Sequence, residues 1–436
     1  MAGTEAAIAK YLSSLLQYGA KPGLERINRL TELLGRPQNN FASIHVGGTN
    51  GKGSTSLMLS RVLSAAGYQT GLFVSPHIHT YRERVQINGE MISISQFADC
   101  LSQVDNLLPT LEAEGHSHPT EFEVLTAAAL LYFSNQAVDI AVIEVGMGGI
   151  YDSTNIVRPL VSIITNIELD HTAYLGNTIT EIATNKAGII KEGVPIITTE
   201  RKSVALQVMT ETAIRKGAEL LPALELVKVK SLISEIYGQK VAVSGYGGEA
   251  EIWLGLPGAY QRDNLALVWT ALQCLREQGL SISAQKTTEA LATCCWPGRM
   301  ELIGEDPIII LDAGHNAAGA RAMTAALHEV LPGRGVVVVA GILDDKDAEP
   351  FLTNLPLETQ AVVITRPDSP RAIKWRQRAE LAEQYYNQVY QVELIEEAVQ
   401  KGVELLNPGM VLVVTGSFYV LDRARKYLLN REIEGK

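Results

Sequence analysis

With 436 residues the chain is too long for one hydrophobic core, and about two or three domains are expected. A hydrophobic content of 46% and a charged content of 19% exclude a disordered or fibrous protein. The formal charge of −11 argues against a nucleic-acid-binding surface, which needs an excess of Lys and Arg, yet leaves room for a local cluster of donors around a small anionic substrate.

The chain opens on a helical pattern, AAIAKYLSSLL, broken by a lysine and unlike the unbroken apolar core of a cleavable leader. From about Phe41 to Ile197 the apolar strands SIHVGG, TGLFVS, DIAVIEVG, VSIITNI and VPIITT alternate with helical stretches such as Gly53–Ala66 and Phe122–Asn135. That alternation predicts a parallel sheet covered on both faces, with ligands bound at the carboxyl ends of the strands. The first strand runs into GTNGKGS. Gly48, Gly51 and Gly53 remove side-chain bulk, so successive N–H groups can surround phosphate oxygens. Lys52 adds a point charge, and the following helix turns its positive end to the same anion. The spacing is tighter than G-x-x-x-x-G-K-[ST], which points away from GTPases and kinases and toward ATP-dependent amide-forming ligases.

Further polar residues follow strands. Ser75, in VSPHI, carries a hydroxyl able to ligate a metal, although a single loop serine says little. Glu83 and Arg84 read as a charged loop ahead of a hairpin. Glu144 ends DIAVIEVG just before Gly146–Gly149, where a carboxylate can hold Mg2+ or make a cap or ion pair. Asp170–His171 closes what reads as a strand motif, TNIELDH, leaving His171 open as a metal ligand or a structural hydrogen-bonding group. Lys186, in NKAGIIK, reads as a surface or phosphate-facing lysine, because an ammonium repels a metal. Leu221–Leu254 is β-like and peripheral, and Gly258–Glu277 returns to helix.

A boundary is expected near Cys294–Arg299, where Pro and Gly interrupt a helical pattern. Beyond it PIIILDA, RGVVVVAGIL, AVVITR and MVLVVTGS, with helices such as Ala317–Leu331 and Phe418–Leu429, predict a smaller α/β unit with no phosphate loop of its own. Arg299 and Asp312–His315–Asn316 sit where they can clamp a nucleotide or second substrate across a cleft, or cap the helix after them. Cys100, Cys274, Cys294 and Cys295 contain no C-x-x-C pair and read as reduced, buried and cytosolic. No run approaches the roughly 20 apolar residues of a bilayer span. A cytoplasmic protein with no membrane or nucleic-acid partner is expected.

GTNGKGS, SPHI, ERVQING, TEFEVLT, EVGMGG-x-x-DSTN, TNIELDHTAYLG, NKAGIIK, LPGAYQRDN, WPGRME, LDAGHN and TGSFYVL follow one another along essentially the whole chain. In that order they resemble folylpolyglutamate synthase/dihydrofolate synthase, a branch of the Mur ligase superfamily. The resemblance implies a phosphate-loop NTPase-like, mostly parallel α/β domain at 1–296 and a smaller Rossmann-like α/β domain at 297–436 that binds glutamate and closes the cleft. It implies that ATP phosphorylates a carboxylate of a pteroate or folate and that L-glutamate then displaces phosphate to form an amide. Asn50, Gly51, Lys52, Gly53 and Ser54 match the phosphate cradle, and Asn264, Arg299 and Asp312 match nucleotide contacts. Ser75 and Glu144 match ligands of a first Mg2+. His171 matches a ligand of a second, with Lys186 as the lysine carbamylated in relatives, a change that turns a repelling cation into an acidic ligand. Lys52, His171 and Lys186 are the implied catalytic set, with room for a monovalent cation. Thr120, Glu121, Phe122, Glu123, Tyr151, Asp152 and Ser153 fall where relatives hold the pterin, and His315 and Ser417 lie in motifs tied to glutamate. A monomer is implied.

Four positions depart from the pattern: Ile150 for a common arginine, Asn185 for a frequent glutamate, Ala313–Gly314 for Gly–Ala, and Ala317 for proline. None removes an implied metal or phosphate ligand. Two other readings compete: a Mur-type ligase acting on another carboxylate, and a nucleotide-binding regulator. The stretch ahead of Gly47 is too short for the nucleotide-sugar domain of peptidoglycan ligases, which favours the folate acceptor. Asp312, His315 and Ser417 argue against a regulator, which needs no amino-acid site.

Overall fold

The computed structural model describes residues 3–19 and 21–434. The chain folds into two compact units. The first holds residues up to 229 together with 243–250 and 263–291, and the second holds 230–242, 251–262 and 292 onward.

The first unit is built on an eight-stranded sheet. In chain order its strands are β1 (Ala42–Gly47), β2 (Thr70–Phe73), β3 (Val85–Ile87), β4 (Glu90–Met91), β5 (Ile140–Glu144), β6 (Val161–Ile164), β7 (Ile196–Thr198) and β8 (Leu220–Pro222). The spatial order is β4-β3-β2-β5-β1-β6-β7-β8, parallel except for the β3–β4 hairpin and its pairing to β2. β2, β5 and β6 are buried throughout, as their unbroken apolar runs require when helices cover both faces. The helices Lys52–Ala65 and Glu121–Asn135 lie where the periodicity places them, and the first packs on β1, β2 and β5. Register then positions the chemistry. Val46 pairs with Glu144 and Gly47 with Ile164, so β1, β5 and β6 end flush and release their loops at one edge.

β9 (Val227–Glu235), β10 (Gly238–Gly245) and β11 (Ala250–Leu254) form a three-stranded sheet with residues in both units, an organisation its irregular pattern does not disclose. The second unit has a six-stranded sheet of β12 (Glu301–Glu305), β13 (Ile308–Leu311), β14 (Val336–Ala340), β15 (Thr359–Ile364), β16 (Val389–Gln391) and β17 (Val411–Thr415). The order is β12-β13-β17-β14-β15-β16, with only β12 antiparallel. Its core joins Ile310, Val338, Val362 and Val413 to Met323, Phe351 and Trp375 from the covering helices. Both sheets are thus the mixed, mostly parallel α/β architecture expected.

Two details correct the sequence reading. Cys100, Cys274 and Cys294 are buried, but Cys295, next to Cys294 on the connection after the helix Ala284–Ala292, is exposed; all four are free thiols. β6 ends at Ile164, so Asp170 and His171 do not end a strand; they lie on the following loop, His171 exposed with φ 50°. Beyond Ile164 the backbone leaves the regular ladder: the Thr165 N–H still donates to the Gly47 carbonyl at 3.0 Å, while the Asn166 carbonyl accepts the Thr49 N–H of the glycine loop at 2.8 Å.

Candidate active site

Gly48 and Gly51 adopt φ 130° and 86°, a region closed to most side chains. A Cβ at Gly48 would overlap the Thr165 hydroxyl, and one at Gly51 would overlap the Asn264 carboxamide. These glycines let the loop lie against two neighbours at once. The fit is fixed by hydrogen bonds: the Asn50 N–H donates to Asn166 Oδ1 at 3.0 Å, the Thr165 hydroxyl to the Asn50 carbonyl at 2.6 Å, and the Thr49 N–H to the Asn166 carbonyl at 2.8 Å. Lys52 Nζ folds back onto the carbonyls of Gly48 (3.2 Å) and Thr49 (3.1 Å). Ser54 is buried in the first turn of Lys52–Ala65, as are Thr55 and Ser56, whose hydroxyls find no hydrogen-bond partner among the described residues.

Lys186 is buried, which excludes the surface-lysine alternative. It ends the helix Ile179–Lys186 and donates from Nζ to the same Gly48 carbonyl at 2.7 Å. Burial first, and then the charge of Lys52, push its pKa down to about 7, against the pull of Asp170 and Asp152. An amine so poised is neutral much of the time, the form that reacts with CO2.

Glu144 is buried at the end of β5, and its Oε2 accepts the Ser75 N–H at 3.1 Å. The structure therefore brings these two sequence candidates together. Among the described residues no three His, Cys, Asp or Glu side chains form a metal cage. One carboxylate with a neighbouring hydroxyl is nonetheless a donor set suited to Mg2+, which keeps waters and takes its other ligands from nucleotide phosphates.

Asp152 clasps the glycine loop after β5. It accepts from the Met147 N–H at 2.8 Å, the Thr154 N–H at 2.9 Å and the Thr154 hydroxyl. Burial raises its pKa, while these bonds oppose the rise. Thr154 also meets Nε2 of buried His45 on β1 at 2.8 Å, and burial drives the His45 pKa down to about 3. Tyr151 is exposed and Ser153 buried at the start of a short 3-10 turn.

Thr120 and Glu123 spend polar atoms on a capping box that starts Glu121–Asn135, and Arg26 pairs with Glu123 at 3.1 Å. Between them Phe122 stacks on Phe73 (ring centroids 5.8 Å apart) and crowds Gly146, while Glu121 faces Arg84 at 3.7 Å. Asn264 lies buried on the helix Tyr260–Glu277.

In the second unit, buried Asp312 accepts from the Met300 N–H at 3.0 Å and the Gly314 N–H at 2.8 Å. Burial raises its pKa, with Arg299 the leading opposing influence. Arg299 stands 5.2 Å from the centroid of the Phe418 ring. His315 Nδ1 lies 3.1 Å from the Ala313 carbonyl. Asn316 takes the capping alternative, accepting the Gly319 N–H at 2.7 Å. The buried Ser417 hydroxyl, at the start of Phe418–Glu434, has no hydrogen-bond partner among the described residues. Sequence reasoning missed Thr165, Asn166 and Tyr260, the last with its pKa raised by burial and by Asp312. The TN pair directly after β6 was the available signal for the first two.

Residues 46–272 match the Mur ligase middle domain, and residues 298–418 match the Mur ligase glutamate ligase domain. The dihydrofolate synthase/folylpolyglutamate synthase of Bacillus subtilis is 35% identical over 96% of this chain and 97% of its own length. The chain belongs to this family of Mur ligases. Among solved family members, Mycobacterium tuberculosis folylpolyglutamate synthase complexed with ADP and AMPPCP superposes with a TM-score of 0.90 at 31% identity, covering 98% of this chain and 99% of that one. E. coli FolC in complex with DHPP and ADP gives 0.86 at 29% identity over 98% of each chain. The chain is accordingly a ligase of the folylpolyglutamate synthase/dihydrofolate synthase branch, and none of its described helices is long and apolar enough to cross a membrane.

Proposed function

We propose that this ligase uses ATP to add L-glutamate to dihydropteroate, to the γ-carboxylate of folylglutamates, or to both, through an acyl phosphate. The observation that carries the reading is the convergence of Lys52 and Lys186 on the Gly48 carbonyl, within a glycine loop suited to an anion. A carboxylate oxygen is a poor leaving group, and phosphorylation by the γ-phosphoryl group makes it a good one. The glutamate amine then attacks the acyl carbon, the C–O bond to phosphate breaks, and phosphate leaves with that oxygen.

Two anions must meet for the first step. Lys52 swings from the loop carbonyls onto the transferring phosphoryl group, and Asn50, Gly51, Gly53 and Ser54 surround the phosphates. Ser75 and Glu144 would hold one Mg2+, and His171 with carbamylated Lys186 a second; when bound, the metal neutralises the developing phosphoryl charge. Carbamylation joins the Lys186 nitrogen to CO2 with loss of one proton, and the lowered pKa of that amine supports it. Phe122, Tyr151, Asp152 and Ser153, with Thr120, Glu121 and Glu123 shaping the same helix end, serve the pterin. Asn264, Arg299 and Asp312 serve the nucleotide. Ser417, whose hydroxyl lacks a partner among the described residues, and His315 serve glutamate. We assign ATP binding to residues 1–296 and glutamate binding to 297–436, in a monomer of the cytoplasm, a compartment that suits four free thiols.

Phosphate release measured with single omissions tests the reading. Release should need ATP together with an acceptor (dihydropteroate or a reduced folate) and L-glutamate; turnover indifferent to acceptor and glutamate would refute it.

A further inference from the structure

The loop between β2 and β3, Val74–Arg84, is closed at its base by the Val74 N–H donating to the Arg84 carbonyl at 3.0 Å. Its interior is organised by one side chain. Glu83 accepts three successive backbone N–H groups: Ile78 at 2.8 Å on Oε2, and His79 at 2.8 Å and Thr80 at 2.9 Å on Oε1. The next residue, Arg84, donates from Nε to His77 Nδ1 at 2.8 Å and lies 4.9 Å from the Tyr81 ring centroid. From outside, Glu5 on the helix Glu5–Ser14 accepts from the Thr80 hydroxyl and pairs with Arg82 at 3.3 Å. Between the base and these ties lies the short stretch Ser75–Pro76, and Ser75 meets Glu144 through its N–H.

We propose that Glu83 is a positioning residue: its carboxylate gathers the loop amides and so holds the Ser75 hydroxyl beside Glu144 for the divalent cation. Charge-assisted bonds to three consecutive amides fix backbone more firmly than neutral ones. A ligand one short segment away inherits that order, as partners of metal ligands commonly do. Glu83→Gln keeps the shape but leaves one acceptor oxygen, and the new N–H2 would face a backbone N–H. The assignment rests on the metal role read above for Ser75 and Glu144.

The test is Mn2+ binding, followed by the loss of the free six-line EPR signal, with the full chain saturated in a non-hydrolysable ATP analogue. Glu83→Gln should weaken Mn2+ affinity about tenfold, the scale on which outer partners of metal ligands act. Glu5→Gln, which loosens only the outer tie, should bind as the wild type does. Wild-type affinity in a folded Glu83→Gln protein overturns the proposal, as does an equal loss in Glu5→Gln. If Glu83→Gln does not fold, Glu83→Asp decides, since it keeps the charge but is one methylene too short to span all three amides; weakened binding supports the proposal and wild-type binding overturns it. Phosphate release by the wild type is scored separately. Acceptor-dependent release with unchanged Mn2+ affinity in Glu83→Gln defeats this assignment alone, whereas weakened affinity without acceptor-dependent release upholds it and defeats the ligase reading.

Discussion

The two parallel sheets both gather polar residues at the carboxyl ends of their strands, but by opposite means. In the first unit the groups proposed for recognition are those of the glycine loop, whose Thr49 and Asn50 N–H groups are spent on Asn166 and whose path is held by Thr165 and Lys52. In the second unit the backbone amides of Met300 and Gly314 are consumed by Asp312, and the groups proposed for recognition, Ser417 and Arg299, are side chains. A backbone cradle suits a group of fixed shape and high charge, such as phosphate. A side-chain site can be matched to an amino acid. The comparison therefore predicts different costs for mutations at the two ends.

The largest effect is expected from Lys52→Ala. Loss of a charge aimed at the transferring phosphoryl group should lower kcat about a thousandfold, with the thermal midpoint retained because Lys52 bonds to its own loop. Wild-type turnover would remove the lysine from the mechanism. Gly48→Ala should instead act on the fold: the added methyl meets Thr165 at φ 130°, and denaturant titration should show a loss of about 1–3 kcal/mol. Unchanged stability would mean that the loop is not as tightly seated as its geometry indicates.

Ser417→Ala sharpens the contrast from the other side. A buried hydroxyl without a partner contributes nothing to stability, so the variant should melt no lower than the wild type while KM for glutamate rises about tenfold. A lower midpoint with unchanged KM would make Ser417 structural. The smallest effect near neutrality concerns His45 beneath the phosphate loop. Its folded pKa is about 3 against 6.5 for the free side chain, so the unfolded chain takes up a proton that the folded chain refuses. Stability should fall as pH drops from about 6.5 toward 3, by up to about 1.4 kcal/mol per pH unit, and His45→Asn should flatten that limb. An unaltered acid limb in that variant would show that another group dominates it.

Much of this was legible in the sequence, because strand and helix periodicity and the glycine loop are local signals. β1, β5, β6 and the helix Lys52–Ala65 follow directly from them. The register that sets Glu144 level with Val46 is not local, nor is the pairing of Arg26 with Glu123 across 97 positions. The capping box of Thr120 and Glu123 is by contrast local, its T-x-x-E spacing visible in the chain, and only the tie to Arg26 is long-range. His171 misled the strand reading because the apolar residues Ile167 and Leu169 prolong an alternating pattern after the ladder has ended at Ile164.

The formation of an acyl phosphate is tested most directly by oxygen transfer. With 18O in the acceptor carboxylate, complete turnover in the presence of ATP and L-glutamate should yield inorganic phosphate carrying one labelled oxygen for each amide formed. Unlabelled phosphate accompanying amide formation would contradict the account.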